Sequence, residues 1–129
     1  MNSSTKSIQV FGVYLIGLGL VLLAVPNLLL QTFGFDSTSE PWIRVLGIVV
    51  AALGYYYLVA AKSNSTAFFT ATVYGRTWLL LAFIALVFLG LAKPMLILFG
   101  LVDFAGAAWT WNALRGEARN VKAKPLKAA

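Results

Sequence analysis

Neither cysteine nor histidine occurs in the 129-residue chain. Their absence excludes disulfides, thiol redox chemistry, histidine-ligated haem, zinc sites and every nucleophile–histidine dyad. A four-span, quinone-coupled disulfide enzyme, which needs a CxxC pair, is excluded with them. Charge is scarce as well: Asp, Glu, Lys and Arg make up 11% of the residues, and only four of these are acids. Asp103 is the only acid inside any long apolar stretch, in MLILFGLVDFAGAAWTW. An ionised carboxylate at the centre of a hydrocarbon layer costs roughly 2.5–3.5 kcal/mol on insertion scales. A residue that expensive needs a partner, a wet cavity or a task.

What the chain has in excess is apolar surface, with 60% hydrophobic residues and a mean hydropathy of +0.86. A single soluble core of this size has too little interior to hide so much. Four stretches, 8–30, 42–61, 68–91 and 95–111, approach or exceed the roughly 20 residues that cross a hydrocarbon core. The expected fold is therefore an all-α membrane protein, a four-transmembrane-helix up-down bundle occupying residues 1–115. Its helices are predicted at about 8–31, 41–61, 66–91 and 94–115. A basic cytoplasmic tail follows over 116–129, low in apolar content and expected to be disordered. The first stretch carries only Lys6 ahead of it and no small-residue cleavage site at the right distance, so it reads as a retained span.

The ten Lys and Arg residues predict orientation. Lys6, Lys62, Arg76, Arg115, Arg119, Lys122, Lys124 and Lys127 fall toward the end that holds the termini; Arg44 and Lys93 fall at the other, with Asp36 and Glu40. By the positive-inside rule both termini lie in the cytoplasm of a bacterial-type inner membrane, and dual topology is disfavoured. The tail is expected to meet anionic lipid heads, each Lys or Arg contributing about 1 kcal/mol near the surface. The net charge of +6 is spread along span boundaries without a recognition motif, so no nucleic-acid partner is expected.

Punctuation marks the boundaries. Gly34 closes the first helix, Ser39 with Pro41 opens the second, Ser65 caps the third, Lys93-Pro94 turns the last hairpin and Gly116 ends the fourth. Pro26 should kink the first helix or end its deep part, leaving residues 28–33 as an extension near the outer surface, with Asn27 bonding the carbonyls that the kink frees. The aromatic set Tyr55, Tyr56, Tyr57, Tyr74, Trp78, Trp109 and Trp111 gathers at the inner end. It reads as an interfacial belt, or else as the wall of a pocket opening inward.

Small residues mark helix contacts. Gly47, Ala51 and Gly54 form one stripe in the second span, with Arg44 continuing it; Gly100, Asp103 and Ala107 share a face in the fourth. Counted from Pro41 and Pro94, Arg44 and Asp103 lie about 4–5 Å and 13–14 Å below the outer edge. A direct or water-bridged Arg44–Asp103 pair is the preferred arrangement, with Arg76–Asp103 as the alternative and a protonated Asp103 as a third. The pair would either fix helix register or line a ligand-facing or proton-handling cavity.

The segments PNLLLQTFG, WIRVLG with the following YYY, VYGR, and FGLVDFAGAAWTW resemble the small four-span bacterial membrane proteins of the DoxX-like type. The resemblance covers most of residues 10–113 and implies an up-down membrane bundle, with Arg44, Arg76 and Asp103 as its charged positions. It implies no established activity; some members of the group are linked to oxidoreductase complexes. The preferred function is a non-catalytic membrane protein that binds a lipid-like or quinone-like molecule or serves as an accessory subunit, with a membrane-protein partner or a homo-oligomer. The alternative is a small oligomeric transporter or channel using Asp103 as coupling residue. One carboxylate without histidine, cysteine or a ligand set is a thin constellation for catalysis, and no cofactor is expected.

Overall fold

The computed structural model describes residues 2–123, which form five helices and no strand. They are α1 (Ser3–Ala24), α2 (Pro26–Thr32), α3 (Trp42–Lys62), α4 (Thr66–Phe88) and α5 (Met95–Ala123). Four of them, α1, α3, α4 and α5, are long and apolar enough to cross a membrane. The short α2 exists because Pro26 has no N–H to continue α1; it restarts the helix as a first-turn proline. Gly34 (φ +77°) and Gly90 (φ +74°) take the left-handed backbone that ends α2 and follows α4. Ser65 caps α4 by accepting from the Phe68 N–H.

Several boundaries differ from the sequence expectation. The first helix starts at Ser3 rather than near 8, and α4 ends at Phe88 rather than 91. Pro41, in helical backbone, takes the N-cap position of α3 that was assigned to Ser39. The largest correction concerns Gly116: α5 continues through it to Ala123, so the first half of the expected tail is helical. The remainder, 124–129, lies outside the described residues.

A tertiary contact explains both early start and late finish. The Glu117 carboxylate accepts the Ser4 backbone N–H (3.0 Å) and the Ser4 hydroxyl (2.6 Å). Ser4 belongs to the first turn of α1, whose N–H groups have no partner within the helix, and an acid there also opposes the helix dipole. Thr5 bonds Asn64 in the α3–α4 turn, closing the same end of the molecule. Glu117→Ala is expected to cost about 1–2 kcal/mol at the first turn of α1. Amide exchange should quicken over residues 3–8 while the global midpoint moves little; unchanged exchange there would refute the capping role.

Packing is uneven. The helices associate as two close pairs, α1 with α3 and α4 with α5, and α1 joins the pairs; α3 meets α4 through side chains rather than close backbones, as where Tyr57 sets its ring edge-on to Phe68 at 5.2 Å. The α1–α3 seam is built from glycine. A Cβ at Gly19 would stand 2.5 Å from the Gly47 carbonyl oxygen, and one at Gly54 2.7 Å from that of Gly12. Each helix places its two glycines seven residues apart, about two turns, so the backbones touch at two successive crossings. Gly47 and Gly54 thus lie where the small-residue stripe suggested, with Ala51 between them against Gly19. Their partners Gly12 and Gly19 carry the same spacing. A buried cluster of Ile8, Phe11, Leu15, Tyr57, Ala60, Ala61 and Phe69 fills the half of the bundle nearer Ser4.

The opposite end is held by lighter contacts. Lys93 meets Asp36 at 3.0 Å, but the two side chains are 49% and 89% exposed, so the pair adds little. Phe99 packs on Phe33 at 4.9 Å between ring centroids. Asn27 does not serve the kink as expected: it accepts from Thr38 N (2.8 Å) and donates to Thr38 O (3.1 Å), stapling the loop.

Candidate functional site

Each long helix contributes a titratable residue to one electrostatically linked group: Tyr14 from α1, Tyr57 from α3, Arg76 from α4 and Asp103 from α5. Arg76 is the largest fully buried side chain, at 1% exposure. Its own helix prepares its seat. Thr72, one turn earlier, offers its carbonyl oxygen to Nε (3.2 Å) and its hydroxyl to Nη2 (3.0 Å). Thr110 on α5, fully buried, accepts a further bond from Nη2 at 3.0 Å. Above the guanidinium plane lie the Phe11 ring, 4.7 Å from Cζ to centroid, and the Tyr57 ring at 5.9 Å. Charge-assisted bonds contribute about 1.5–3 kcal/mol each and a desolvated cation–π contact about 2. Together these hold a cation that would otherwise be costly among apolar helices.

The cradle extends by hydroxyls toward the Ser4 end. Ser7 Oγ and Thr110 Oγ1 are 2.8 Å apart, and Ser7 donates to the Ser4 carbonyl at 2.7 Å. Ser7 therefore accepts from Thr110, whose single proton is shared with the Gly106 carbonyl oxygen at 3.0 Å. Glu117, Ser4, Ser7, Thr110 and Arg76 form a continuous polar seam through α1, α4 and α5.

One atom is left over. Among the described residues, Nη1 of Arg76 is the only buried side-chain nitrogen or oxygen without a hydrogen-bond partner. It abuts Gly106, where a Cβ would lie 2.9 Å from it. Leaving such a donor unmet costs about 1–3 kcal/mol, more when it is charged. Asp103 lies one turn along α5 from Gly106, on the same face. Its carboxylate is half-buried, makes no hydrogen bond or ion pair among the described residues, and stands more than 4.0 Å from Arg76. It nevertheless shares a field with Arg76, Tyr14 and Tyr57. A buried donor and a half-buried carboxylate thus lie on neighbouring helices, each without a hydrogen-bond partner among the described residues.

The other candidate residues fall as follows. Arg44 does not pair with Asp103. Its Nη1 donates to the carbonyl oxygens of Leu23 and Ala24, the last of α1, left without helical partners where the helix breaks before Pro26. That local demand lies within easy reach, whereas Asp103 is deeper and on another helix. Gly100 packs on Leu80 and Phe83 and Ala107 is buried, so α4 covers part of the face they share with Asp103. Of the aromatic set, Tyr57 is 5% exposed and belongs to the core rather than to a belt. Tyr55, Tyr56, Tyr74, Trp78, Trp109 and Trp111 are exposed. Tyr74 and Trp111, 6.4 Å apart, stand at a groove of about 310 Å³ along α4 and α5, walled also by Val73, Thr77 and Phe104. Neither Arg76 nor Asp103 lines that groove.

Sequence reasoning missed Ser7, Thr72, Gly106 and Thr110. Helical spacing could have indicated them: Thr72 and Arg76, like Gly106 and Thr110, are separated by four residues. Comparison with known proteins finds no matching family, no matching characterised protein and no matching solved structure.

Proposed function

We propose that the chain is a multi-pass protein of a bacterial-type inner membrane, an up-down bundle with both termini in the cytoplasm. Its role is to bind the polar head of a lipid-like or other hydrophobic molecule between its spans, without catalysing a reaction on it. The positive-inside distribution of Lys and Arg supports the orientation. The binding role rests on the unpartnered Nη1 of Arg76, held rigidly by Thr72 and Thr110 beside an unpaired Asp103. A purely structural pair would have brought the two charges into contact, whereas Arg76 and Asp103 form no ion pair. The DoxX-like resemblance agrees with this reading, and a partner subunit in the same membrane is compatible with it.

Protein extracted in a polymer-bounded lipid disc should carry a bound amphiphile that survives native mass spectrometry. Arg76→Met should lower its occupancy at least tenfold while the protein stays folded. A ligand-free wild type, or one that turns over a substrate unaided, would overturn the proposal.

A further inference from the structure

The groove along α4 and α5 owes its shape to two alanines. Ala107 and Ala108 leave room where larger side chains would fill it, and Phe104 and Trp111, one turn to either side on α5, bound its ends. Val73 and Ala107 are buried at its floor, while Tyr74, Phe104, Trp111 and Asn112 stand exposed around it. No residue of α1 or α3 lines it, so the groove opens sideways, away from the rest of the bundle. Counted from Met95 at about 1.5 Å per residue, a hydrocarbon core about 30 Å thick ends near Arg115. The groove, from Phe104 to Asn112, thus lies in the half of the core nearer the termini. That is the layer filled by the acyl chains of one leaflet.

Beyond Trp111 the same face of α5 changes character. By helical spacing, Arg115, Arg119 and Lys122 project within the same arc of about 80° as Phe104, Ala108 and Trp111. All three cations are exposed, and none is paired with an acid among the described residues. Glu117, the nearest acid in sequence, lies about 160° around the helix from Arg115. It is also engaged by Ser4. One face therefore presents an apolar trough and then three cations, beginning at the level of lipid phosphates.

Charge selects the occupant. A second copy docking by this face about a two-fold axis would bring both sets of cations together. A zwitterionic lipid would fill the trough but offer the cations no net charge. An anionic phospholipid matches both parts, with an acyl chain along the trough and its phosphate beside Arg115. We propose that the α4–α5 groove, with Arg115, Arg119 and Lys122, is a site for one anionic phospholipid of the leaflet on the side of the termini. It lies outside the Arg76 cradle and does not depend on the role proposed for that residue.

The test titrates the full chain in detergent with phosphatidylglycerol or phosphatidylcholine of identical chains, and native mass spectrometry counts the lipids bound. One phosphatidylglycerol should bind at least tenfold more tightly than phosphatidylcholine, since each cation near the phosphate contributes roughly fivefold. Arg115→Gln should reduce that preference about fivefold, and Arg115→Gln with Arg119→Gln should bring it close to parity. Lys62→Gln removes the same charge from the same end of the molecule, on α3, and should leave the preference within about twofold of wild type. Ala108→Phe should weaken both lipids alike by filling the trough; Ala108 is exposed, so the ring has room without moving the backbone. Arg76→Met should leave the phosphatidylglycerol bound, which separates this site from the cradle. Equal affinity for the two lipids would overturn the proposal. So would a loss in Lys62→Gln as large as in Arg115→Gln, which would reduce the site to diffuse attraction by a basic surface. Binding unchanged in Ala108→Phe would take the groove out of it and overturn it too. A dimer that Ala108→Phe dissociates would overturn it by showing that a second copy covers the groove.

Discussion

Gly47→Leu is expected to separate α3 from α1 and to destabilise the protein by about 3 kcal/mol or more. Any Cβ at Gly47 would fall 2.6 Å from the Gly19 carbonyl oxygen and 2.7 Å from the Leu23 nitrogen. Both are backbone atoms, so no rotamer change relieves the contact and the helices must move apart. Loss of close packing is severe among apolar helices, because lipid tails are as apolar as leucine and burial adds no drive to association. Gly19→Leu should produce a similar loss from the opposite side. The double variant should lose less than the two single losses combined, since both break one contact. Gly17, two residues from Gly19 on the same helix, has nothing within 4 Å of its Cβ position. Gly17→Ala should therefore be neutral or stabilising by up to about 1 kcal/mol. Denaturation by an anionic detergent, followed by far-UV circular dichroism, reads all four variants. A Gly47→Leu midpoint equal to that of wild type would show that the seam does not hold the pair.

At Arg76 the replacements are expected to rank in an order that charge alone would not give. Arg76→Lys keeps the charge but cannot span Thr72 and Thr110 with a planar fork or lie flat over Phe11 and Tyr57. It should cost about 3 kcal/mol, because a buried cation is left poorly paired. Arg76→Met removes the charge, fills most of the volume and eliminates the unmet Nη1. It should hold the midpoint within about 1 kcal/mol of wild type, or raise it. Arg76→Ala opens a void under the two rings and should cost roughly 3 kcal/mol. The same denaturation assay gives the order Met above Ala and Lys. A Met variant as unstable as the Lys variant would make Arg76 a structural strut rather than a residue kept for binding.

How much of this was legible before the fold is clearest at the two arginines. The spans themselves follow from apolar runs near 20 residues, and Pro26 and Gly34 mark real breaks. Arg44 was misassigned because depth along isolated helices measures reach but not demand. The nearest unmet acceptors are the Leu23 and Ala24 carbonyls beside the Pro26 break. Arg76 was legible as a charge, but its seat was not. Ser7, Thr72 and Thr110 are ordinary helix residues until three helices bring Thr72 and Thr110 to one guanidinium and Ser7 to Thr110. Tyr57 was hidden among three consecutive tyrosines, each turned by 100° from the next. The stripe through Gly47 and Gly54 reaches Tyr57 three residues on, and that signal could have separated it from Tyr55 and Tyr56. The run beyond Gly116 was illegible for a different reason: a polar segment has no pattern of its own to show that Glu117 will be held by Ser4.

That last contact joins residues 113 positions apart in sequence, which orders events during synthesis. The α1–α3 seam can close as soon as α3 enters the membrane, but the opening turn of α1 waits for the final helix. Until α5 arrives, Ser4 lacks Glu117, and both Ser7 and the Arg76 cradle lack Thr110. A chain cut short before α5 therefore leaves the guanidinium with the Thr72 acceptors of its own helix alone.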